Sequence, residues 1–356
     1  MAHVFAKEAS HRDRERRLPW DEIAYFTASG LGGITVPAEY GGADVSMQVL
    51  SEVFRILCAA DPAAGQIPQN QFGVLNVVRA FATQAQKQRI YGAVLAGHRL
   101  GNTGPERNTK SIAQITSRLV RQDGILRLTG QKFYSTGALF AHHVPARAID
   151  DDGRTVMVFV PRGRPGLRIV DDWSGFGQRT TASGTVIFDG VPIEADEVVD
   201  IHAFADTPNL QGPSSQLIQA SIDMGIADAA VAETIAFVRH RARAWMDSGV
   251  TEASQDPLTI HQVGELHVRL SAAQALLEKA ARTIDDLLAS VVTAESVARA
   301  SVEVAKAKVL TTEVALHASQ KLFELSGTRS VLAEDNLDRH WRNARTHTLH
   351  DPVRWK

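Results

Sequence analysis

The residue types best suited to chemistry lie in the tail, which reads Arg342-Asn343-Ala344-Arg345-Thr346-His347-Thr348-Leu349-His350-Asp351-Pro352. Helical residues three apart share a face, so His347 and His350 are expected to project into one site. Proline disfavours the α conformation in the residue before it, so a helix carrying the pair should end near Asp351. Two such histidines can bind a metal, act as acid and base, or serve an oxygenation centre. A metal normally needs three or more convergent ligands. The sequence has no H-E-x-x-H pattern and no cysteine near the pair, so a metal site is disfavoured. A second pair, His142-His143, is read as non-catalytic, because neighbours on a strand point to opposite faces. His317 falls mid-helix and is read as structural.

Three zones must position these residues. The chain has 356 residues, enough for two or three packed units. From Trp20 to about Leu100 the pattern is mostly helical, with loops expected at Pro37–Asp44 and Asp61–Pro68. From about Gly101 to Val199 glycine and proline punctuate short apolar runs. Gln122-Asp123-Gly124 between Thr116–Val120 and Ile125–Thr129 is a hairpin signal. Val156–Val160 and Thr185–Phe188 read as strands, the latter closed by Asp189-Gly190, and the zone as a small antiparallel β domain. From about Gln211 the pattern is helical again. Val263, Leu266, Leu270, Ala273, Leu277, Ala280, Ile284 and Leu287 form one stripe; Ala300, Val304, Ala307, Leu310 and Val314 form another, on a helix ending at Gly327. Long stripes in series imply a helical bundle.

Composition narrows the function classes. The formal net charge is −2, against an electrostatically driven nucleic-acid binder. Arg12, Arg14, Arg16 and Arg17 alternate with Asp13 and Glu15, which reads as a solvated helical entry. One cysteine, Cys58, excludes an intramolecular disulfide and fits a reducing cytoplasm. No stretch approaches membrane-spanning length. Gly175-Phe176-Gly177 lacks the third glycine of G-x-G-x-x-G, and no P-loop pattern occurs, so a Rossmann nicotinamide site is not expected.

Four segments, in order, resemble the acyl-CoA dehydrogenase family across essentially the whole chain. They are Gly33-Ile34-Thr35-Val36-Pro37-Ala38-Glu39-Tyr40-Gly41-Gly42, Leu128 to Ala138 with its Gly130-Gln131-Lys132 core, Phe176 to Thr181, and Phe188-Asp189-Gly190-Val191. The implied fold is mainly α with a central β domain: an N-terminal α-helical domain (1–100), a middle antiparallel β domain (101–205) and a C-terminal four-helix bundle (206–356). Asp171-Asp172-Trp173, Ala242-Arg243-Ala244-Trp245, Glu252 to Pro257 and the Arg342–Pro352 tail resemble the family's flavin-dependent monooxygenase branch, the type that includes dibenzothiophene monooxygenases and sulfur-acquisition oxidoreductases. Dehydrogenases of the family commonly carry Tyr-Glu-Gly where this tail reads His350-Asp351-Pro352. The base position is therefore not preserved.

The resemblance implies oxygen transfer from a reduced flavin and O₂ to a small organosulfur compound. FMN, as FMNH₂, is the expected cofactor, with FAD possible, supplied by a separate NAD(P)H-dependent flavin reductase. It implies His347 and His350 at the flavin-oxygen face, Asn102, Ser135 and Thr136 on the isoalloxazine, Arg243 and Arg329 on the flavin phosphate, and Trp173 as a pocket wall. Each has a plainer reading: Arg329 as a carbonyl cap, Arg243 as a surface pair, Thr136 and Asn102 as turn residues, Trp173 as core. Gln66, Asn70 and Gln71 stand where the branch often has His or Tyr, which suggests a more polar pocket. The family also implies a homotetramer, and relatives run some tens of residues further. The alternatives are an FAD-dependent acyl-CoA dehydrogenase using Asp351 as base, and a flavin-binding protein without turnover.

Overall fold

Helix-start chemistry is written plainly into the first part of the chain. The computed structural model describes residues 1–107, 109–111, 114–350 and 353–356. Helices α1 (Ala2–Lys7), α2 (Ala9–Glu15) and α3 (Trp20–Ala28) precede α4 (Met47–Ala60), α5 (Pro62–Gln66), α6 (Gln69–Phe81) and α7 (Gln84–Leu95). Ser46 caps α4, and Thr83 with Gln86 forms a capping box on α7, each satisfying amides the first turn leaves unpaired. The segment expected as a loop at Asp61–Pro68 is largely α5. Asp61 accepts from the amides of Ala63 and Ala64, and Pro62 occupies the first turn, where its missing N–H is harmless.

The basic N-terminal run also departs from expectation. Arg12 is fully buried, its guanidinium 2.8 Å from Asp61 and 2.5 Å from Glu22. Folding α2 against α3 and α5 brings two carboxylates to one point, and the arginine neutralises them there. Only part of the run is a solvated face.

The middle of the chain forms one seven-stranded sheet in the order β5-β6-β2-β1-β3-β4-β7. The strands are β1 (Arg118–Gln122), β2 (Ile125–Lys132), β3 (His143–Ile149), β4 (Thr155–Pro161), β5 (Leu167–Val170), β6 (Thr185–Ile193) and β7 (Val198–Asp200). The β1–β2 hairpin turns at Asp123-Gly124, both in left-handed backbone, as a two-residue hairpin loop requires. Two expectations need correction. The sheet is mixed, because β1 lies parallel to β3, and β6 continues through Asp189-Gly190 instead of closing there.

Helices α8 (Gln211–His240), α9 (Pro257–Leu288) and α10 (Ala294–Ser326) follow, then the short α11 (Asp338–His347). The two apolar stripes face inward on α9 and α10, and α10 stops at Gly327, which has positive φ. Helix α8 is buried on nearly every side, so it is the axis of the bundle. One continuous core joins α1 and α4 to α8, α9 and α10. Among the described residues no helix is long and apolar enough to cross a membrane.

Candidate active site

Helix α11 delivers the histidine pair. Asp338 opens it and Arg345 lies in its last turn, which matches each charge to the favourable end of the helix dipole. Arg342 anchors it to Asp13 at 2.6 Å. The amide of Gln178 donates to Asn343 Oδ1 at 2.7 Å, tying α11 to the loop before β6. That approach requires Gly177, since a Cβ there would run into the Arg342 carbonyl and the Thr346 hydroxyl.

The two imidazoles share a face as the spacing predicts, with ring centroids 6.3 Å apart and planes 23° from parallel. Their surroundings differ. His347 is buried, with Nδ1 2.5 Å from Asp223 Oδ1 and Nε2 2.8 Å from Gln219 Oε1. Asp223 also accepts from Lys308 Nζ at 2.6 Å and the Thr312 hydroxyl at 3.0 Å. Burial would raise the Asp223 carboxyl, but Lys308 and His347 hold it at about 2. Burial lowers the His347 pKa, against the pull of Asp223, and Lys308 and His350 lower it further. The balance is an Asp223–Lys308 ion pair beside a neutral imidazole. Neutral His347 donates from Nδ1 to Asp223, which leaves Nε2 as an acceptor. Gln219 Oε1 faces that nitrogen and Gln219 Nε2 has no partner, so turning the Gln219 amide over gives the neutral ring its donor and satisfies both atoms. Both nitrogens of His347 are thus engaged inside the protein. His350, on the turn after α11, is exposed.

The other expected residues fall into two groups. Asn102, Ser135, Thr136 and Trp173 come together. The Asn102 amide donates to the Thr136 carbonyl at 3.1 Å. The Thr136 hydroxyl lies 2.6 Å from Ser183 Oγ, which lies 2.7 Å from Thr181 Oγ1. The half-buried Trp173 donates to the Gln178 carbonyl at 2.9 Å and meets Tyr134 edge-on at 6.1 Å. Tyr134, Gln178 and Ala182 all have positive φ, a costly backbone for residues with side chains, of the kind functional loops retain. Arg243 and Arg329 form the second group, away from the first. Both are exposed, and Arg329 donates to the Arg241 carbonyl at 3.1 Å, the plainer role open to it. From Lys308, beside the histidines, to Gly327 along α10 is about 28 Å at 1.5 Å per residue. Asp351 and Pro352, where a base and a helix stop were expected, lie outside the described residues.

His142 and His143 also differ from the reading given to them. Only His143 lies in a strand, and both rings stack on His98, at 4.9 and 5.4 Å. Among the described residues no three side chains converge to hold a metal. Beside Asn102 a cavity of about 590 Å³ opens between α6, β3 and the start of α8.

Sequence reasoning missed Gln219, Asp223 and Lys308. The signal was present: Gln219 and Asp223, four apart, interrupt an otherwise apolar run on α8, and Lys308 adjoins the α10 stripe.

Comparison with known proteins decides the family. Models of the acyl-CoA dehydrogenase N-terminal and C-terminal domains match residues 1–98 and 217–355. Dibenzothiophene monooxygenase of Rhodococcus qingshengii is 31% identical over 371 residues, covering 100% of this chain and 89% of that protein. The chain belongs to the acyl-CoA dehydrogenase family. Within it, the flavin-dependent monooxygenase branch is the one it resembles in sequence and structure. The FMN-bound TdsC of Paenibacillus sp. A11-2 superposes with a TM-score of 0.94 at 30% identity, over 99% of this chain and 92% of that one. Methanesulfinate monooxygenase MsuC of Pseudomonas fluorescens gives 0.90 at 29% identity, over 99% and 92%.

A flavin fits the residues present. Ser135 Oγ and both amide atoms of Gln178 are buried without partners among the described residues. An isoalloxazine edge alternates donors and acceptors, so it can satisfy such atoms, which are costly when left unpaired. The adjoining cavity lies within the range of about 300–1,000 Å³ usual for small-ligand sites.

Proposed function

We propose that this chain is a reduced-FMN-dependent monooxygenase that transfers one atom of O₂ to the sulfur of a small organosulfur compound. The observation that carries the reading is the end of α11, where an exposed imidazole stacks on a buried neutral one beside the flavin-type loops. The nearest described carboxylate, Asp223, is ion-paired and held near 2, which makes it a poor base for abstracting a carbon-bound proton. FMNH₂ supplies two electrons, so that one oxygen atom reaches sulfur and the other leaves as water.

The protein's part is positioning and proton management. His350 donates a hydrogen bond to the reacting oxygen and hands a proton to the oxygen that departs. His347 holds His350 by stacking, the ring planes 23° from parallel. Ser135, Thr136 and Asn102 hold the isoalloxazine edge, Trp173 closes one side, and the loops exclude water. Arg243 and Arg329 grip the flavin phosphate of a neighbouring copy in a homotetramer, because the length of α10 keeps them from their own. With no nicotinamide-binding glycine pattern in the sequence, a separate NAD(P)H-dependent reductase supplies FMNH₂.

The test is to mix the protein with photoreduced FMN, ¹⁸O₂ and either methanesulfinate or dibenzothiophene, and to weigh the product. One ¹⁸O per product is expected. Peroxide alone with both compounds, together with bleaching of bound flavin by an acyl-CoA, would overturn the proposal in favour of a dehydrogenase.

A further inference from the structure

The cavity beside Asn102 contains a cation that the mechanism above does not use. Strand β3 alternates, with Val144, Ala146 and Ala148 packed into the sheet's own core, so Arg147 emerges on the opposite face. There it lines the cavity with its cross-strand partner Met157 and with Asn70 of α6. Among the described residues no carboxylate pairs with the Arg147 guanidinium. The nearest acidic group in the network, Glu106, is committed elsewhere. It lies 2.5 Å from Lys132 Nζ and also accepts from Thr116 and Ser117. Lys132 in turn donates to the Arg147 carbonyl at 2.8 Å, so its charge is matched and that of Arg147 is not. Arg147 is exposed on this face of the sheet, at the wall of the open cavity. An accessible arginine with no carboxylate partner is available to fork onto an anion that enters the cavity.

The remaining lining defines the ligand. The Asn70 amide makes no hydrogen bond among the described residues, so it offers a second donor. Val74, Val77, Met157 and Phe204 supply an apolar wall, enough for a short aliphatic body. We propose that this cavity is the substrate pocket and that Arg147 binds an anionic head group on the substrate. The organosulfur substrate is then a small aliphatic sulfinate, whose sulfur keeps the lone pair that oxygen transfer needs, not a neutral fused aromatic. The proposal rests on the monooxygenase reading for its reaction, but the anion site stands on the cavity alone. A guanidinium forks onto two oxygens of one anion, which suits the two oxygens of –SO₂⁻ and leaves its sulfur lone pair to react. A flavin phosphate has the same chemistry, so the experiment must separate the two sources.

Arg147→Met keeps the length and apolar stem and removes the charge. With methanesulfinate as the probe, KM should rise roughly 10- to 100-fold with kcat little changed, the loss expected for one charged hydrogen-bonded contact. Whatever turnover neutral dibenzothiophene shows should be unaffected, and Arg147→Lys should recover part of the loss. Fluorescence quenching should give equal affinities for FMN in wild type and variant, and for riboflavin likewise. Weaker FMN binding with riboflavin unchanged would assign Arg147 to the phosphate and overturn the proposal, as would an unchanged KM. Calorimetry of methanesulfinate with the flavin-free chain reads the pocket without turnover. If wild type binds it, Arg147→Met does not, and neither sulfur compound is oxidised, the anion site stands and the reaction reading falls. If wild type neither binds nor oxidises methanesulfinate, the anion site falls.

Discussion

In the proposed mechanism His350 and His347 divide one task between an exposed ring and a buried one. His350→Ala should lower sulfur oxygenation by about 10²-fold or more, while flavin oxidation continues and releases peroxide. Product formed per FMNH₂ consumed is the measurement, and flavin affinity should stay within a few-fold. Beneath it, Asp223 and Lys308 form a fully buried pair. Lys308→Met strands a buried carboxylate and should cost about 3–5 kcal/mol in denaturant unfolding. Lys308→Met with Asp223→Asn should regain part of that, since no charge remains; equal losses would mean that packing sets the penalty. The same groups fix a pH dependence. His347 has a folded pKa below the unfolded value of about 6.5, so its contribution is complete above about pH 6.5 and is lost as pH falls. Asp223, at about 2 when folded against about 3.9 unfolded, contributes above about pH 4 and loses it toward pH 2. In His347→Asn the fall of stability between pH 6.5 and 5 should be shallower by up to about 1.4 kcal/mol per pH unit, one proton's share. An unchanged slope would show that another buried histidine, such as His340, carries it.

Element by element, legibility followed how local the cause was. The Asp123-Gly124 turn and the stripes on α9 and α10 are set by neighbours in sequence, and they form where the pattern puts them. The start of α5 is legible too, in Asp61 as its cap and Pro62 in its first turn, although prolines at both ends of the stretch suggest a loop. The parallel β1–β3 pairing was not legible, because the register joining Arg118 to Ile149 depends on how the intervening chain crosses the sheet. Nor was the burial of Arg12, whose partners Glu22 and Asp61 lie in other helices. In the site, the i, i+3 spacing gave the shared face of the histidines, while which one is closed depends on Asp223 and Gln219 of α8. The docking of α11 follows from a similar long-range contact. Gly177→Ala should force α11 away from the loop that carries Gln178, since the obstruction is backbone. The expected result is a lower ratio of oxygenated product to FMNH₂ consumed, with His350 chemically intact. A variant coupled as tightly as wild type would mean that α11 docking does not set His350.

At the scale of the whole molecule, the question is whose flavin Arg243 and Arg329 serve. Along α10 the histidine end and the Arg329 end are about 28 Å apart, and in this chain Arg329 only caps a carbonyl of the segment leading to Arg243. If the phosphate clamp acts across a subunit boundary, two inactive variants should complement each other. Arg329→Ala keeps its own His350 but gives its neighbour no clamp; His350→Ala has the reverse defect. In a mixed pair, the Arg329→Ala subunit's site receives an intact arginine from its partner and regains function, while the other site lacks both groups. Random association should restore about a quarter of wild-type sites if copies exchange clamps pairwise. Activity would be read at limiting FMN, where each variant alone is poorly active. A clamp acting within one chain predicts no recovery at any mixing ratio, because every site would then lack either His350 or Arg329. Riboflavin sharpens the reading: having no phosphate, its binding should be insensitive to Arg329→Ala and to mixing. Recovery seen with FMN affinity but absent with riboflavin would therefore assign Arg329 both its ligand group and its subunit.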